Sequence, residues 1–105
     1  MIAKTPKAPY YAVIFTTIRT NIDDGYEQMA IDMEELAKLQ PGYLGIESAR
    51  SELGITVSYW ESLEAIKAWK HQLDHEQARN LGREKWYAQY RLRISKVEHN
   101  YGFEK

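Results

Sequence analysis

The chain has 105 residues, 44% hydrophobic and 28% charged, the make-up of one ordinary globular domain with a modest core. Its 14 Lys and Arg balance 15 Asp and Glu without any like-charge block, which leaves out the basic stripe that nucleic-acid binding requires. There is no cysteine, so disulfides, thiolate metal sites and cysteine nucleophiles are excluded, and no apolar run nears the roughly 20 residues of a membrane helix.

Residues 1–9 read as a flexible lead-in, since Pro6 and Pro9 lack amide donors, and 10–105 read as a single domain. The opening MIAKTPKAPYY has no apolar segment of the signal-peptide kind, so a cytoplasmic protein is expected. Tyr10–Arg19 is rich in β-branched and aromatic residues and predicts a strand. Val13 and Phe15 fall on one face of it, and Ala12, Ile14 and Ile18 on the other, so both faces are expected to be covered. After the turn from Asn21 to Gly25, Asp24 is placed to cap a helix, with Glu27 completing a capping box. Tyr26, Met29, Ala30, Met33, Leu36 and Ala37 then recur at helical spacing until Pro41-Gly42 stops the helix. Both methionines read as core filler.

Tyr43–Arg50 and Ile55–Trp60 predict two strands of a hairpin turning around Glu52-Leu53-Gly54. Ser62 is positioned as the cap of a second helix, whose stripe is Leu63, Ile66, Trp69, Lys70 and Leu73. At about 100° per residue, His75 would fall opposite that stripe. Asp74 followed by Gln77 reads as a fresh cap, so a break at Asp74 and a short helix to Leu81, ended by Gly82, are expected. Tyr87–Val97 predicts the last strand, apolar at Ala88, Tyr90, Leu92 and Ile94, and polar at Gln89, Arg91, Arg93 and Ser95. The tail from Glu98 is aromatic and charged, suited to extend the strand or wrap a partner.

The order strand, helix, strand, strand, helix, strand is the split βαβ, ferredoxin-like α+β pattern with an antiparallel four-stranded sheet. Two helices cover one face of such a sheet. The apolar second face of the first strand therefore predicts a homodimer joined sheet to sheet.

Gln40-Pro41-Gly42-Tyr43 with Gly45 and Glu47, SYWESLEAIKAW at 58–69, His75 and Trp86-Tyr87 together resemble the antibiotic biosynthesis monooxygenase (ABM) superfamily. The likeness runs from the first strand to the last. It implies a dimeric α+β barrel, with a pocket between each sheet and its own helices. It also implies an oxidoreductase that handles a flat aromatic or quinol-type substrate without a cofactor.

Within that frame, Trp69 on the helix stripe is a candidate pocket wall, Trp60 a strand-end contact, and Tyr59 and Tyr87 candidate hydroxyl donors to a ligand. Core packing is the plain alternative for all four. His75, with an ordinary pKa near about 6.5, is the candidate general base, the alternative being a solvent-facing or capping histidine. Arg91, on the polar side of its strand between Tyr87 and Tyr90, is a candidate oxyanion partner, and Arg79 a candidate substrate contact. Arg83 and Arg93 are weaker candidates for the same task. His71 and His75 stand four apart, but the expected break spoils a metal pair and no third ligand is evident, so no metal site is expected. Heme-degrading relatives carry an asparagine on the first strand, where this chain has Thr16 and Thr17, and a histidine near the position of Arg79. Heme binding, or a non-catalytic dimer that binds a small ligand, is the alternative to oxygenation. No Gly-rich nucleotide fingerprint is present.

Overall fold

The computed structural model describes residues 1–75 and 83–105. Four strands, β1 (Tyr10–Arg19), β2 (Tyr43–Arg50), β3 (Gly54–Trp60) and β4 (Tyr87–Val97), form one antiparallel sheet in the order β2-β3-β1-β4. Helices α1 (Tyr26–Lys38) and α2 (Leu63–His75) fill the two crossovers, and a short helix α3 (Arg83–Trp86) leads into β4. This is the ferredoxin-like arrangement the sequence pattern predicts. The expected short helix to Leu81 lies outside the described residues.

Register decides which side chains share a face. Val13 pairs with Ser58 and Ile94, Phe15 with Thr56 and Leu92, and Thr17 with Gly54 and Tyr90. These residues point toward the helices, and the alternation sends Ala12, Ile14, Val57, Tyr59, Arg91 and Arg93 to the helix-free face. The core lies under the helices at one end of the sheet, where Val13, Ala37, Trp60 and Ile66 pack together with Tyr11, Tyr43, Ala65 and Trp69 around them.

One local expectation is corrected. Asp24 does not cap α1: Gly25, at φ 81°, precedes the helix without any side-chain cap, and its carbonyl accepts the Met29 amide at 3.1 Å. The Asp24 carbonyl instead accepts the indole N–H of Trp86 at 2.8 Å, tying α1 to α3. Helix α2 runs to His75, one residue past Asp74, and what directly follows lies outside the described residues. Ser62 does cap α2, its hydroxyl accepting the Ala65 amide at 3.0 Å. Gly42 has to be glycine: φ is 86°, and an added Cβ would meet the Ala65 Cβ at 2.6 Å.

Residues 1–9 lie against the helix-free face. The Ala3 amide donates to the Glu47 carboxylate at 2.9 Å, and Thr5 shares a hydrogen bond with the Tyr10 hydroxyl at 2.9 Å. From the other terminus, the Asn100 amide donates to the same Tyr10 hydroxyl at 2.7 Å. The remainder of this face stays open, with Ile18 and Ile55 each 41% exposed. Among the described residues, no helix is long and apolar enough to cross a membrane.

Candidate active site

Between the helix-facing side of the sheet and the two helices lies a cavity of about 1180 Å³. Val13, Phe15, Thr56, Ser58, Leu92 and Ile94 form its floor, Met29, Met33 and Ala37 line it from α1, and Ile66, Trp69 and Leu73 from α2. The helical spacing of those residues, read as core stripes in the sequence, is what aims them inward. Their stripes only half close over the sheet: Leu92 and Ile94 remain 50% exposed on the cavity side of β4.

One end of the cavity is closed by stacked rings. Trp69 stacks on Trp60 with centroids 5.7 Å apart, and Trp60 meets Tyr43 edge to face at the same separation. Trp60 is fully buried, and its indole N–H is satisfied by the Ser58 hydroxyl at 2.9 Å. Trp60 is thus a backing residue behind Trp69, and only Trp69 of that pair lines the open space.

The opposite end is a cage of rings around open volume. Phe15 stands edge-on to Tyr87 at 5.7 Å and tilted against Tyr90 at 5.5 Å, while Tyr26 meets Tyr87 at 5.9 Å and Trp86 at 6.4 Å. Such edge-to-face contacts leave ring faces available to a flat guest. Burial, then a hydrogen bond with Tyr26, pushes the Tyr87 phenol well above its ordinary range, so it remains a protonated donor at neutral pH. Arg19 lies 3.4 Å over the Tyr26 ring and is fully engaged, donating to the Trp86 carbonyl at 3.1 Å, to the Ile22 carbonyl at 2.9 Å and to Asp23 at 3.0 Å. Arg50 also lines the cavity and donates to the Thr17 hydroxyl.

The structure therefore brings Trp69 and Tyr87 to one cavity and sets Trp60 behind it. Two expected members lie elsewhere. Tyr59 is on the helix-free face, where its hydroxyl donates to Glu47 at 2.6 Å and its ring meets Tyr10 edge to face. Burial and that carboxylate push its pKa up to about 12, while the Tyr59 and Ala3 hydrogen bonds draw Glu47 below its ordinary value. Arg91 pairs with Thr16 and points to that same face, because Tyr90 and Leu92 on either side of it point into the cavity. Arg91 is on the polar side of β4, and that side turns away from the helices. The Arg79 position and the His75 side chain lie outside the described residues. Phe15, Tyr26, Trp86 and Arg50 were not singled out from the sequence as site residues. Phe15 was legible as the neighbour of Val13 on one strand face, whereas Arg50 gave no signal beyond its place at a strand end. Among the described residues, no group of three His, Cys, Asp or Glu is placed to hold a metal ion.

No family model matches the chain. Over 99 residues it is 48% identical to the uncharacterised protein YqjZ of Bacillus subtilis (strain 168), covering 92% of this chain and 87% of that one. A variant of SnoaB, a cofactor-independent oxygenase from Streptomyces nogalater, superposes with a TM-score of 0.72 at 12% identity, covering 89% of this chain and 97% of SnoaB. A Caulobacter crescentus protein provisionally named an antibiotic biosynthesis monooxygenase superposes at 0.69 with 17% identity, covering 89% of this chain and 92% of its own. At such identities the solved structures share the fold, and the fold is the one on which ABM-type monooxygenases are built.

Proposed function

The chain belongs to the family of Bacillus subtilis YqjZ, and from that premise and its aromatic cavity we propose that it is a small cofactor-independent monooxygenase acting on a flat aromatic or quinol-type molecule. The observation that carries the reading is the cavity itself, with Trp69 at one end and the Phe15, Tyr87 and Tyr90 rings at the other. Ring faces and apolar side chains hold a planar guest and keep bulk water from its reacting carbon. The fold shared with SnoaB supports the same reading.

The chemistry asks little of the protein. A bound phenol loses its proton to a base, for which His75 at the end of α2 is the proposed residue. The electron-rich anion forms a carbon–oxygen bond with dioxygen. Cleavage of the oxygen–oxygen bond and of the ring C–H bond leaves a second carbonyl on the ring. The other oxygen atom departs as water, with the phenolic and ring hydrogens. The substrate supplies every electron, so no reductant or resident cofactor enters the balance. Tyr87, held protonated, donates to the oxygen that carries the developing charge. Arg79 remains a proposed substrate contact, while Arg91 and Tyr59 have no part in the reacting cavity.

A homodimer through the helix-free faces completes the proposal. Ile18 and Ile55 are exposed there beside half-buried Ile14 and Val57, an apolar surface that a second copy would cover. Incubation of the protein with a dihydroxynaphthalene under air, followed by an oxygen electrode, tests the enzyme. Uptake that falls at least about 100-fold in His75→Ala is expected, the low end for loss of a positioned base. Uptake no faster than that of the variant defeats the reading, and sedimentation as a stable monomer defeats the dimer.

A further inference from the structure

Arg50 occupies an unusual place for the last residue of an edge strand. Its register partner is Gly54, and the guanidinium lies over that glycine, in the space where any other residue would carry its Cβ. From there it reaches across β3 to the hydroxyl of Thr17, which is itself buried on the central strand. A long cationic side chain at a strand end would ordinarily extend into water. This one lies back across the sheet along the cavity lining while staying open to water.

Its partners are few. The other cavity-end guanidinium, on Arg19, is committed to Asp23 and to two backbone carbonyls. Arg50 has only a neutral hydroxyl, and among the described residues no carboxylate lies within ion-pair distance of it. A guanidinium offers a planar fork of N–H donors that matches a carboxylate, so most of this fork is left for a guest. Of the cavity's acids, Asp23 is paired with Arg19 and Glu34 with Lys38 at 3.8 Å, and Glu27, on the first turn of α1, forms no ion pair with Arg50. Lys70 on α2 is the second cation of the lining.

We propose that the cavity takes a flat aromatic carboxylate, its rings among Phe15, Tyr87 and Tyr90 and its carboxylate on the Arg50 guanidinium. This rests on the aromatic-substrate reading above and narrows it to substrates with a negative charge at one end. Proximity of the cation to the ring cage has a second trace, since the Arg50 charge acts on the Tyr87 phenol against the larger effect of burial. At about 1180 Å³ the cavity exceeds the roughly 300–1,000 Å³ of common small-molecule pockets, so several fused rings fit. With one end anchored, the opposite ring edge is presented toward Trp69.

The test compares two probes of one shape, anthracene-2-carboxylate and anthracene-2-carboxamide, titrated into the intact protein without oxygen and followed by probe fluorescence. The carboxylate is expected to bind about 5- to 10-fold more tightly at low salt, the exposed position of Arg50 holding the effect below that of a buried pair. Arg50→Gln brings the two probes within about twofold by loss of that interaction and leaves the amide unchanged. Gly54→Ala keeps the charge but fills the guanidinium's place, and it reduces the preference as well. Equal binding of the two probes by the unaltered protein overturns the proposal. So does a preference that survives Arg50→Gln, or one erased by Lys70→Gln instead. Should the preference hold while no hydroxyaromatic drives oxygen uptake, the carboxylate site stands and the monooxygenase reading falls.

Discussion

The two aromatic groups on the helix-facing side of the sheet are made of the same residue types and do different work. At one end Tyr43, Trp60 and Trp69 are packed against Val13, Ala37 and Ile66, and Trp60 has no exposed surface at all. At the other, Phe15, Tyr26, Tyr87 and Tyr90 meet edge to face or tilted around unfilled space, and Tyr90 is 44% exposed. Neighbours make the difference. Ala37 and Ile66 close over the first group, whereas the second faces the cavity side of β4, where Leu92 and Ile94 stay half exposed. Rings closed over by helices hold the fold together, and rings left around a hollow can hold a guest. Trp69 belongs to both, stacking on one group while lining the space that leads to the other.

Breaking the closed group should produce the largest effect. Trp60→Ala removes a fully buried indole and is expected to cost about 3–5 kcal/mol in urea unfolding. Tyr90→Ala, at a half-exposed ring of the open cage, should cost roughly 1 kcal/mol or less. A reversal of that order would end the comparison. Trp69→Ala sits between them: about 2 kcal/mol of stability for a partly buried ring, together with a clear weakening of aromatic-probe binding. Lost stability with unchanged probe binding would assign Trp69 to the closed group alone. Gly42→Ala strains a positive-φ turn and drives a methyl into Ala65, and about 1–2 kcal/mol should be lost. A cost under roughly 0.5 kcal/mol would show that the turn relaxes freely.

The smallest effect belongs to the helix-free face and depends on pH. The folded pKa of Tyr59 is raised from 10.0 to about 12, so its contribution is complete below pH 10 and disappears as pH climbs toward 12. Glu47 is shifted the other way, below 4.5, so its contribution is complete above that value and disappears as pH falls through the folded pKa. One variant addresses both flanks. Tyr59→Phe should flatten the stability profile at the alkaline end and also reduce the acid-side slope, read by thermal unfolding between pH 3 and 11. An unchanged acid flank would mean that the Ala3 amide alone holds Glu47.

Much of this fold could be read in advance, because strands and helices announce themselves by period. Tyr10–Arg19 is marked by its β-branched and aromatic content, Tyr87–Val97 by alternation, and α1 by the Tyr26 to Ala37 stripe. Local capping signals were poorer guides. Asp24 gave way to a left-handed glycine beside it, since the choice of cap depends on tertiary partners. The site was legible in part for a related reason. Trp69 and Tyr87 could be placed by stripe and strand position, but the face to which Arg91 and Tyr59 belong required the register of β1 with β3 and β4. Arg50 required more: only the pairing with Gly54 reveals that the guanidinium lies back over the sheet.

The claim that the hollow between helices and sheet receives a planar guest has a direct spectroscopic test. The chain contains three methionines; Met29 and Met33 line the cavity, and Met1 is fully exposed. With the methionine methyls labelled with carbon-13, titration with anthracene-2-carboxylate should move the Met29 and Met33 signals by ring current and leave Met1 in place. Saturating shifts at those two positions are the predicted result. Motionless Met29 and Met33 signals under a probe that demonstrably binds would place the guest elsewhere and contradict the account.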